Sequence, residues 1–548
     1  MVQTAKSSSI VKFIIVSGGV LSGLGKGITA ASIGLLLKSR GIKVTIMKCD
    51  MYLNIDSGTM SPIEHGEVFV TDDGLETDQD LGHYERFLGE TLNRSNYLTN
   101  GQIYKLVLDK ERALDYDGIC VQPYHHIPPE IIKKWRDAGG KNNVDVVIVE
   151  LGGTTGEYEG LLFFEAYRRL KLKEPKNCAL VHVGYLPAPN SIGELKSKPL
   201  QQSVSLLNSL GIQPDFIIGR AQLEIDMKRK EKIALTSGLP IENIISNPDV
   251  DSVYDVPIVL EKQLLATKLI KKLGIKSKKK DLSSWKEMLE KKSKTKKSVN
   301  IGIIGKYQKT GDYTLEDSYI SVVEALKHAG FELNLNPQIT WIDSQSLELK
   351  NQDEIKKVIT GFDGIIVPQG WGKRGVEGKI KSIRAARENN IPYLGLCFGM
   401  QMAVIEFARN VLGFSDANST EVNPDTKHPV IHIMPSQEEN LLNKNYGGTI
   451  RLGSWPCKVK KGTKLFDIYK KDLISERHRH RYEFNNKYKS QFEKKGFLIS
   501  GTSPDGKLVE AIEIEKHKFF VGTQFHPEYI SRPLAPHPLF VSFLASMI

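Results

Sequence analysis

The run Gly395-Leu396-Cys397-Phe398-Gly399-Met400-Gln401, led in by the apolar stretch Ile391-Pro392-Tyr393-Leu394, constrains this chain more than any other feature. An apolar strand that ends on a glycine-flanked cysteine reads as a strand-to-helix elbow of an α/β sheet. The glycines permit the sharp turn, the thiol is lifted clear of the sheet, and the next backbone N–H faces the same spot. A thiol placed there needs a base, and the base needs an acid to orient it. Far downstream, Gln524-Phe525-His526-Pro527-Glu528 offers both. His526 and Glu528 stand two apart on an extended segment, so their side chains share a face. A buried cysteine in a tight turn, or a loop histidine, is the plainer reading of either piece alone.

At 548 residues the chain is too long for one core, and two or more domains are expected. Its 40% hydrophobic and 25% charged residues are those of an ordinary globular protein. No stretch approaches ~18 uninterrupted apolar residues, so no membrane partner is expected, and Met1 to Ser9 lacks an apolar signal core. Five scattered cysteines argue against a disulfide framework or zinc site and suit a catalytic thiol in the reducing cytoplasm. The net charge of +11 suggests nucleic acid until it is located. Twelve lysines between Lys271 and Lys297 face only Asp281, Glu287 and Glu290, a local excess of nine charges. That composition, with a short helical piece around Leu282 to Leu289, is that of a solvated linker, and no nucleic-acid partner is expected. The boundaries expected are 1–270, a Lys-rich linker 271–298, and 299–548.

The first part opens with an apolar strand, Val11 to Val16, then Ser17-Gly18-Gly19-Val20-Leu21-Ser22-Gly23-Leu24-Gly25-Lys26-Gly27-Ile28-Thr29, then an Ala/Leu-rich helix to Arg40. Strand, glycine loop, lysine and helix describe a phosphate cradle, with Lys26 as a point charge toward β/γ-phosphates. Five residues separate Gly19 from Gly25, where the common P-loop has four, and Gly27 stands where a metal-binding Ser/Thr is usual. A glycine-rich turn of another Rossmann-like fold is the alternative. Further strands, Val44 to Met47 and Val144 to Val149, end at Lys48-Cys49-Asp50 and at Glu150-Leu151-Gly152-Gly153-Thr154. A carboxylate at such a strand end sits where ligands gather. Glu150 suits a Mg²⁺ ligand, since nucleotide magnesium takes one or two carboxylates plus phosphate oxygens; a capping or salt-bridged acid is the alternative.

The elbow with His526 and Glu528 resembles the class I glutamine amidotransferases, and the glycine loop resembles the dethiobiotin synthetase-like branch of P-loop enzymes. These residues stand with Gly58 to Pro62, His65 to Val70, Asp72 to Arg86, Lys196-Ser197-Lys198-Pro199 and Arg477 to Glu483. Together they resemble the CTP synthase family over nearly the full length. The resemblance implies an α/β chain of two doubly wound domains: a P-loop synthetase domain and a class I glutamine amidotransferase domain. It implies ATP-dependent amination of UTP through a 4-phosphorylated intermediate, using ammonia released from glutamine at Cys397, His526 and Glu528 and passed through a tunnel. Gly23, Leu24, Gly25, Lys26, Gly27 and Ile28, with Lys48, Asp80, Asp249 and Val250, match the ATP site; Asp80 and Glu150 match the Mg²⁺ ligands. Ser22, Lys196, Ser197, Lys198, Pro199, Leu200, Gln201 and Lys232 match the UTP pocket, and Glu157, Tyr158 and Glu159 the segment read by CTP. His65 and Val68 match the ammonia passage. Gly370, Phe398, Gly399, Met400, Gln401, Glu421 and Arg481 match the glutamine contacts; Arg374, Gly375 and Glu377 match a lid associated with GTP activation. CTP as feedback inhibitor, a homotetramer and filaments are further implications.

The chain departs from the family pattern in places. The loop that usually has two adjacent glycines reads Pro368-Gln369-Gly370-Trp371-Gly372. Were residue 369 to need φ > 0, glutamine would add strain of roughly 1–3 kcal/mol and weaken the oxyanion hole. Val121-Gln122-Pro123-Tyr124-His125-His126-Ile127 is expected to be reshaped, and Glu157, Leu200 and Pro248 stand for an aspartate, a threonine and a lysine. Two other readings are an amidotransferase of the cobyrinic acid type and a catalytically dead assembly protein. The Lys196–Pro199 run and the Asp78–Arg86 loop disfavour the first; Cys397, His526, Glu528 and Lys26 disfavour the second.

Overall fold

Seven short apolar runs build the first sheet: β1 (Lys12–Gly18), β2 (Val44–Asp50), β3 (Tyr97–Thr99), β4 (Val146–Leu151), β5 (Cys178–Tyr185), β6 (Phe216–Ala221) and β7 (Ile244–Pro248). All pair in parallel, in the order β3-β2-β4-β1-β5-β6-β7. Their near-continuous hydrophobicity follows from burial on both faces. Phe13, Ile15, Val147 and Val149 join Trp135 and Phe163 in one core. On the other face Gly34, in the helix Lys26–Lys38, lets Ile46 and Ile148 approach; a Cβ there would stand 3.0 Å from Ile46 Cδ1. After β1 the chain moves to β2 on one side, and after β4 it crosses to β5 on the other. The crevice at the C-terminal ends of β1 and β4 is therefore the switch point of the sheet.

The second sheet comprises β8 (Lys297–Gly305), β9 (Leu335–Asp343), β10 (Gly364–Val367), β11 (Tyr393–Leu396), β12 (Arg451–Val459), β13 (Leu473–His480), β14 (Phe497–Thr502), β15 (Val509–Ile514) and β16 (Phe520–Thr523). The order is β9-β8-β10-β11-β16-β15-β14-β12-β13. It is parallel from β9 to β16 and antiparallel beyond. Period-two alternation sorts its side chains into two cores: Ile303, Ile366, Leu394 and Leu396 face one, Ile304, Ile365, Val367 and Tyr393 the other.

The computed structural model describes residues 11–189, 193–294, 297–307, 309–310, 313–314, 316–434, 437–443 and 445–548. Contacts divide the chain into two units, Met1–Asp56 with His83–Ser283, and Ser57–Gly82 with Ser284–Ile548. The segment 57–82 thus belongs with the second sheet. Its strands Phe69–Val70 and Glu76–Thr77 pair as a hairpin. Arg477 binds Asp72 at 2.5 Å and the Val70 carbonyl at 3.0 Å, and Arg479 binds Glu76 at 2.8 Å. The helix expected near Leu282 to Leu289 runs Ser283–Ser293 and buries Trp285 and Met288. In the departing segment, Pro123 takes the first position of the helix Pro123–Lys141, where its missing N–H removes no helical bond. Among the described residues no helix is long and apolar enough to cross a membrane.

Candidate active sites

In the second unit β10 and β11 run side by side, Ile365 opposite Tyr393 and Val367 opposite Gly395. The segments leaving them, Pro368–Gly372 and Cys397–Gly399, therefore emerge at one edge. Cys397 adopts φ 52°, ψ −100° and caps the helix Phe398–Asn410. Its N–H donates to the Thr523 carbonyl at 2.6 Å, and Tyr393 Oη donates to the Gly399 carbonyl at 2.9 Å, which fixes the turn. A Cβ at Gly399 would collide with the Val367 carbonyl, so only glycine lets the helix start this close to β10. Phe398, first in the helix, has an N–H with no intrahelical acceptor, as an oxyanion donor requires.

His526 and Glu528 are fully buried, and His526 Nδ1 lies 2.7 Å from Glu528 Oε1. The imidazole stacks on Tyr529 at 4.9 Å and 11°. Its other ring nitrogen, Nε2, is left to the adjacent Cys397 thiol. Burial alone would lower its pKa, but Glu528 and the adjacent Cys397 thiol outweigh burial and raise it to about 10. The arrangement favours the imidazolium form of His526. Gln524 Nε2 approaches Cys397 Sγ at 3.5 Å.

The strain expected at Gln369 is absent. Gln369 is not among the residues with positive φ, and neither is Gly370; the positive φ of the loop falls on Gly372, at 73°. A side chain at 369 therefore needs no left-handed backbone. Two buried lysines that sequence reasoning missed brace this loop. Lys379 donates to the Pro368 carbonyl at 3.1 Å, Lys306 to the Trp371 and Gly372 carbonyls at 2.5 and 2.8 Å, and both lie over the Phe398 ring. Burial pushes Lys306 down to about 8, and burial with Lys306 nearby pushes Lys379 well below the usual lysine range.

A cavity of about 290 Å³ opens beside this edge, lined by Met60, Glu76, Trp371, Glu421, Arg481 and Tyr482, among others. Glu421 accepts from the Gly372 N–H at 2.6 Å, and Arg481 donates to Thr449 at 3.1 Å. Gln401 donates to the Tyr482 carbonyl at 2.9 Å, and Met400 is fully buried. Arg374 donates to the Lys306 carbonyl, Gly375 has φ 72° at a helix start, and Glu377 pairs with Arg409 at 2.9 Å. His65 lies 3.6 Å from Asp78, and the Val68 carbonyl accepts from Tyr529 at 3.0 Å.

In the first unit, Gly23 and Gly25 take φ of 73° and 80°, and Lys26 begins the helix after the loop. Lys26 donates to the Gly153 carbonyl and runs beneath Gly18, where a Cβ would stand 2.5 Å from its Cδ. Thr155 binds the Gly18 carbonyl through N–H at 2.9 Å and hydroxyl at 2.6 Å, joining the loop after β1 to the loop after β4. Glu150 is buried, 3.1 Å from Lys48 and hydrogen-bonded by Tyr84. Asp80, which belongs to the second unit, starts the helix Asp80–Leu88. Among the described residues no three acidic, His or Cys side chains form a ready-made cage. A buried carboxylate beside a phosphate cradle nonetheless fits Mg²⁺ held largely by nucleotide oxygens.

Glu157 binds the Thr154 N–H at 2.8 Å, and Tyr158 is exposed. Lys196 pairs with Glu194 at 2.5 Å; Ser197 precedes the helix Lys198–Ser209, where Gln201 reaches the Lys232 carbonyl at 3.4 Å. Leu200 is buried in the core against Gly184. Asp249 pairs with Arg220 at 2.8 Å. Sequence reasoning missed Arg220, Tyr84 and His182, each an ordinary strand or helix residue in isolation. His182 lies between Ser17 and Ser203 at 3.0 and 2.8 Å, and burial, with Lys26 nearby, lowers it to about 3, so it stays neutral.

Known proteins match both halves of the chain. Residues 12–275 match the family described as CTP synthase N-terminus, and residues 314–546 the family described as glutamine amidotransferase class-I. The CTP synthase of Caldanaerobacter subterraneus is 52% identical over 538 residues, 98% of each chain. That of Bacillus subtilis is 48% identical over 538 residues, again 98% of each. Among solved structures, the Trypanosoma brucei CTPS glutaminase domain with bound acivicin is 40% identical, covering 45% of this chain and 93% of its own, with a TM-score of 0.42.

Proposed function

The chain belongs to the CTP synthase family, and we infer that it aminates UTP to CTP with ATP, using ammonia that its second unit releases from glutamine. The observation that supports the glutamine half best is the buried set of Cys397, His526 and Glu528 at the elbow. Cys397 attacks the glutamine amide, and the Phe398 N–H, with the Gly370 loop, receives the oxyanion. His526 gives a proton to the departing nitrogen, Glu528 holds the ring, and water then releases glutamate from the thioester. Glutamine occupies the cavity beside Trp371, with Glu421 and Arg481 as the natural partners of its ammonium and carboxylate groups.

In the first unit Lys26 and the glycine loop position the nucleotide phosphates for transfer to O4 of uracil, a reaction that needs placement and charge neutralisation more than covalent help. Glu150 would hold Mg²⁺, which when bound neutralises charge on the phosphates. Arg220, whose Nε would lie 3.9 Å from a Cβ at Gly25, adds a second cation at the loop. Lys196 to Gln201 and Lys232 take UTP, and Glu157 to Glu159 read CTP as feedback inhibitor. GTP acts as activator at Arg374, Gly375 and Glu377. The protein works in the cytoplasm as a homotetramer; exposed Leu108, Leu114, Ile119, Tyr124 and Tyr158 in the first unit favour assembly. The test is CTP formation from UTP and ATP with glutamine, then with ammonium at pH 8–9 (roughly, to keep part of it unprotonated). Absence of CTP with both nitrogen sources would remove the reading, and sedimentation as a monomer would remove the tetramer.

A further inference from the structure

We propose that Gln369 handles ammonia: its buried carboxamide, oriented by Glu67, offers the first hydrogen-bond acceptor to ammonia leaving Cys397 and holds it back from water. The inference rests on the glutamine-dependent reading above.

Gln369 is the second residue after β10, and continuing the β10–β11 register from Val367 opposite Gly395 sets it level with Cys397. It is 9% exposed. Its Nε2 lies 3.5 Å from Glu67 Oε1, while Glu67 Oε2 accepts from the Ser321 N–H at 3.1 Å and from the Ser321 hydroxyl. Glu67 accepts from the amide NH₂, as it does from Ser321, and this turns the carboxamide oxygen away from it. Gln369 Oε1 is then a buried acceptor, and it has no hydrogen-bond partner among the described residues. A buried acceptor without a partner is costly, and a small molecule rich in N–H relieves that cost.

Glu67 belongs to the same cluster as the chemistry. Tyr529 stacks on His526, donates to the Val68 carbonyl, and lies within electrostatic reach of Glu67, Glu528 and Cys397. The acceptor therefore stands in the loop that leaves β10 beside the elbow, next to the segment that the family resemblance assigns to ammonia passage. The group is also chemically apt. When His526 protonates the departing nitrogen, neutral NH₃ leaves with three N–H donors and its lone pair. An amide oxygen accepts one N–H without favouring ammonium, whereas a carboxylate there would stabilise NH₄⁺, which has no lone pair for attack. Glu67 stays one group back, behind the amide.

The test is the ratio of CTP formed to glutamate released, with free ammonium in the medium measured alongside, at saturating UTP and ATP. Wild type should give a ratio near one. In Gln369→Met, similar in length but with no amide oxygen, the ratio should fall below about one half while ammonium accumulates, because released ammonia is no longer held from water. Gln369→Ala, which removes the amide and leaves the backbone of this loop as it is, should do the same and decides the matter if the methionine variant fails to fold. Ratios near one in both variants would overturn the proposal. Glutamate release without CTP in wild type would instead defeat the underlying reading.

Discussion

At the residue scale, the raised pKa of His526 makes a pH dependence. The folded value, about 10, lies above the ~6.5 of an unperturbed histidine. Protonation of His526 therefore stabilises the fold fully below ~6.5, and that contribution is lost as pH rises through about 10. The same proton is needed by the leaving nitrogen, so wild-type glutaminase should keep its kcat/KM up to about pH 9–10. Glu528→Gln removes the carboxylate that raises the ring most, so the alkaline limb should move down by at least about one unit, with kcat falling roughly 10- to 1000-fold. A pH–rate profile checks both, and an unmoved limb would show that Glu528 does not set the ring's charge. Cys397, His526 and Glu528 were legible in the sequence because glycine flanks and a two-residue spacing are local marks. Lys306 and Lys379 were not, since a buried lysine over an aromatic ring looks in sequence like any surface charge. Gln369 was misread for a related reason: its strain depended on a positive φ that this loop places at Gly372 instead.

At the element scale, the elbow exists because β10, β11 and the helix Phe398–Asn410 pack without room for a side chain at Gly399. Gly399→Ala would push a methyl group into the Val367 carbonyl. The helix would have to shift, at a cost of at least about 1–3 kcal/mol, and the Phe398 N–H would move from the oxyanion. Losing one such donor costs about 2.7–4 kcal/mol in a protease, so glutaminase kcat should drop about 100- to 1000-fold while the urea midpoint falls modestly. A full-rate Gly399→Ala enzyme would mean that the elbow has slack the geometry does not show. The glycine loop has the same character, with Gly18 kept bare by Lys26 beneath it. Both elements were readable because strand, glycine and helix succeed one another in sequence. The antiparallel half of the second sheet was not, because strands such as Leu473-Ile474-Ser475-Glu476-Arg477-His478 bury charged and polar groups and carry little apolar alternation.

At the scale of the whole molecule, the segment 57–82 is the feature that local sequence could not reveal. Its anchors pair residues as far as 461 apart, Val68 with Tyr529, and no composition change marks it off from its neighbours. Chemistry, by contrast, divides cleanly between the units, and single substitutions should separate the two halves. Cys397→Ala removes the only thiol at the elbow, so glutamine-driven CTP formation should fall to background. Ammonia supplied from outside bypasses that step, and synthesis from it should stay within about two-fold of wild type, because no residue of the phosphate cradle is touched. Lys26→Ala should abolish synthesis from either donor, since nitrogen attacks C4 only after O4 carries phosphate. Glu150→Gln should behave like Lys26→Ala. It also takes from Lys48 the nearer of its two carboxylate partners, leaving Asp50 at 3.8 Å, so its Tm must be measured with its activity. The decisive comparison is Cys397→Ala against Lys26→Ala with both nitrogen sources. Equal loss of ammonia-driven and glutamine-driven synthesis in Cys397→Ala would make that thiol structural, and robust synthesis in Lys26→Ala would take phosphate binding away from the loop after β1.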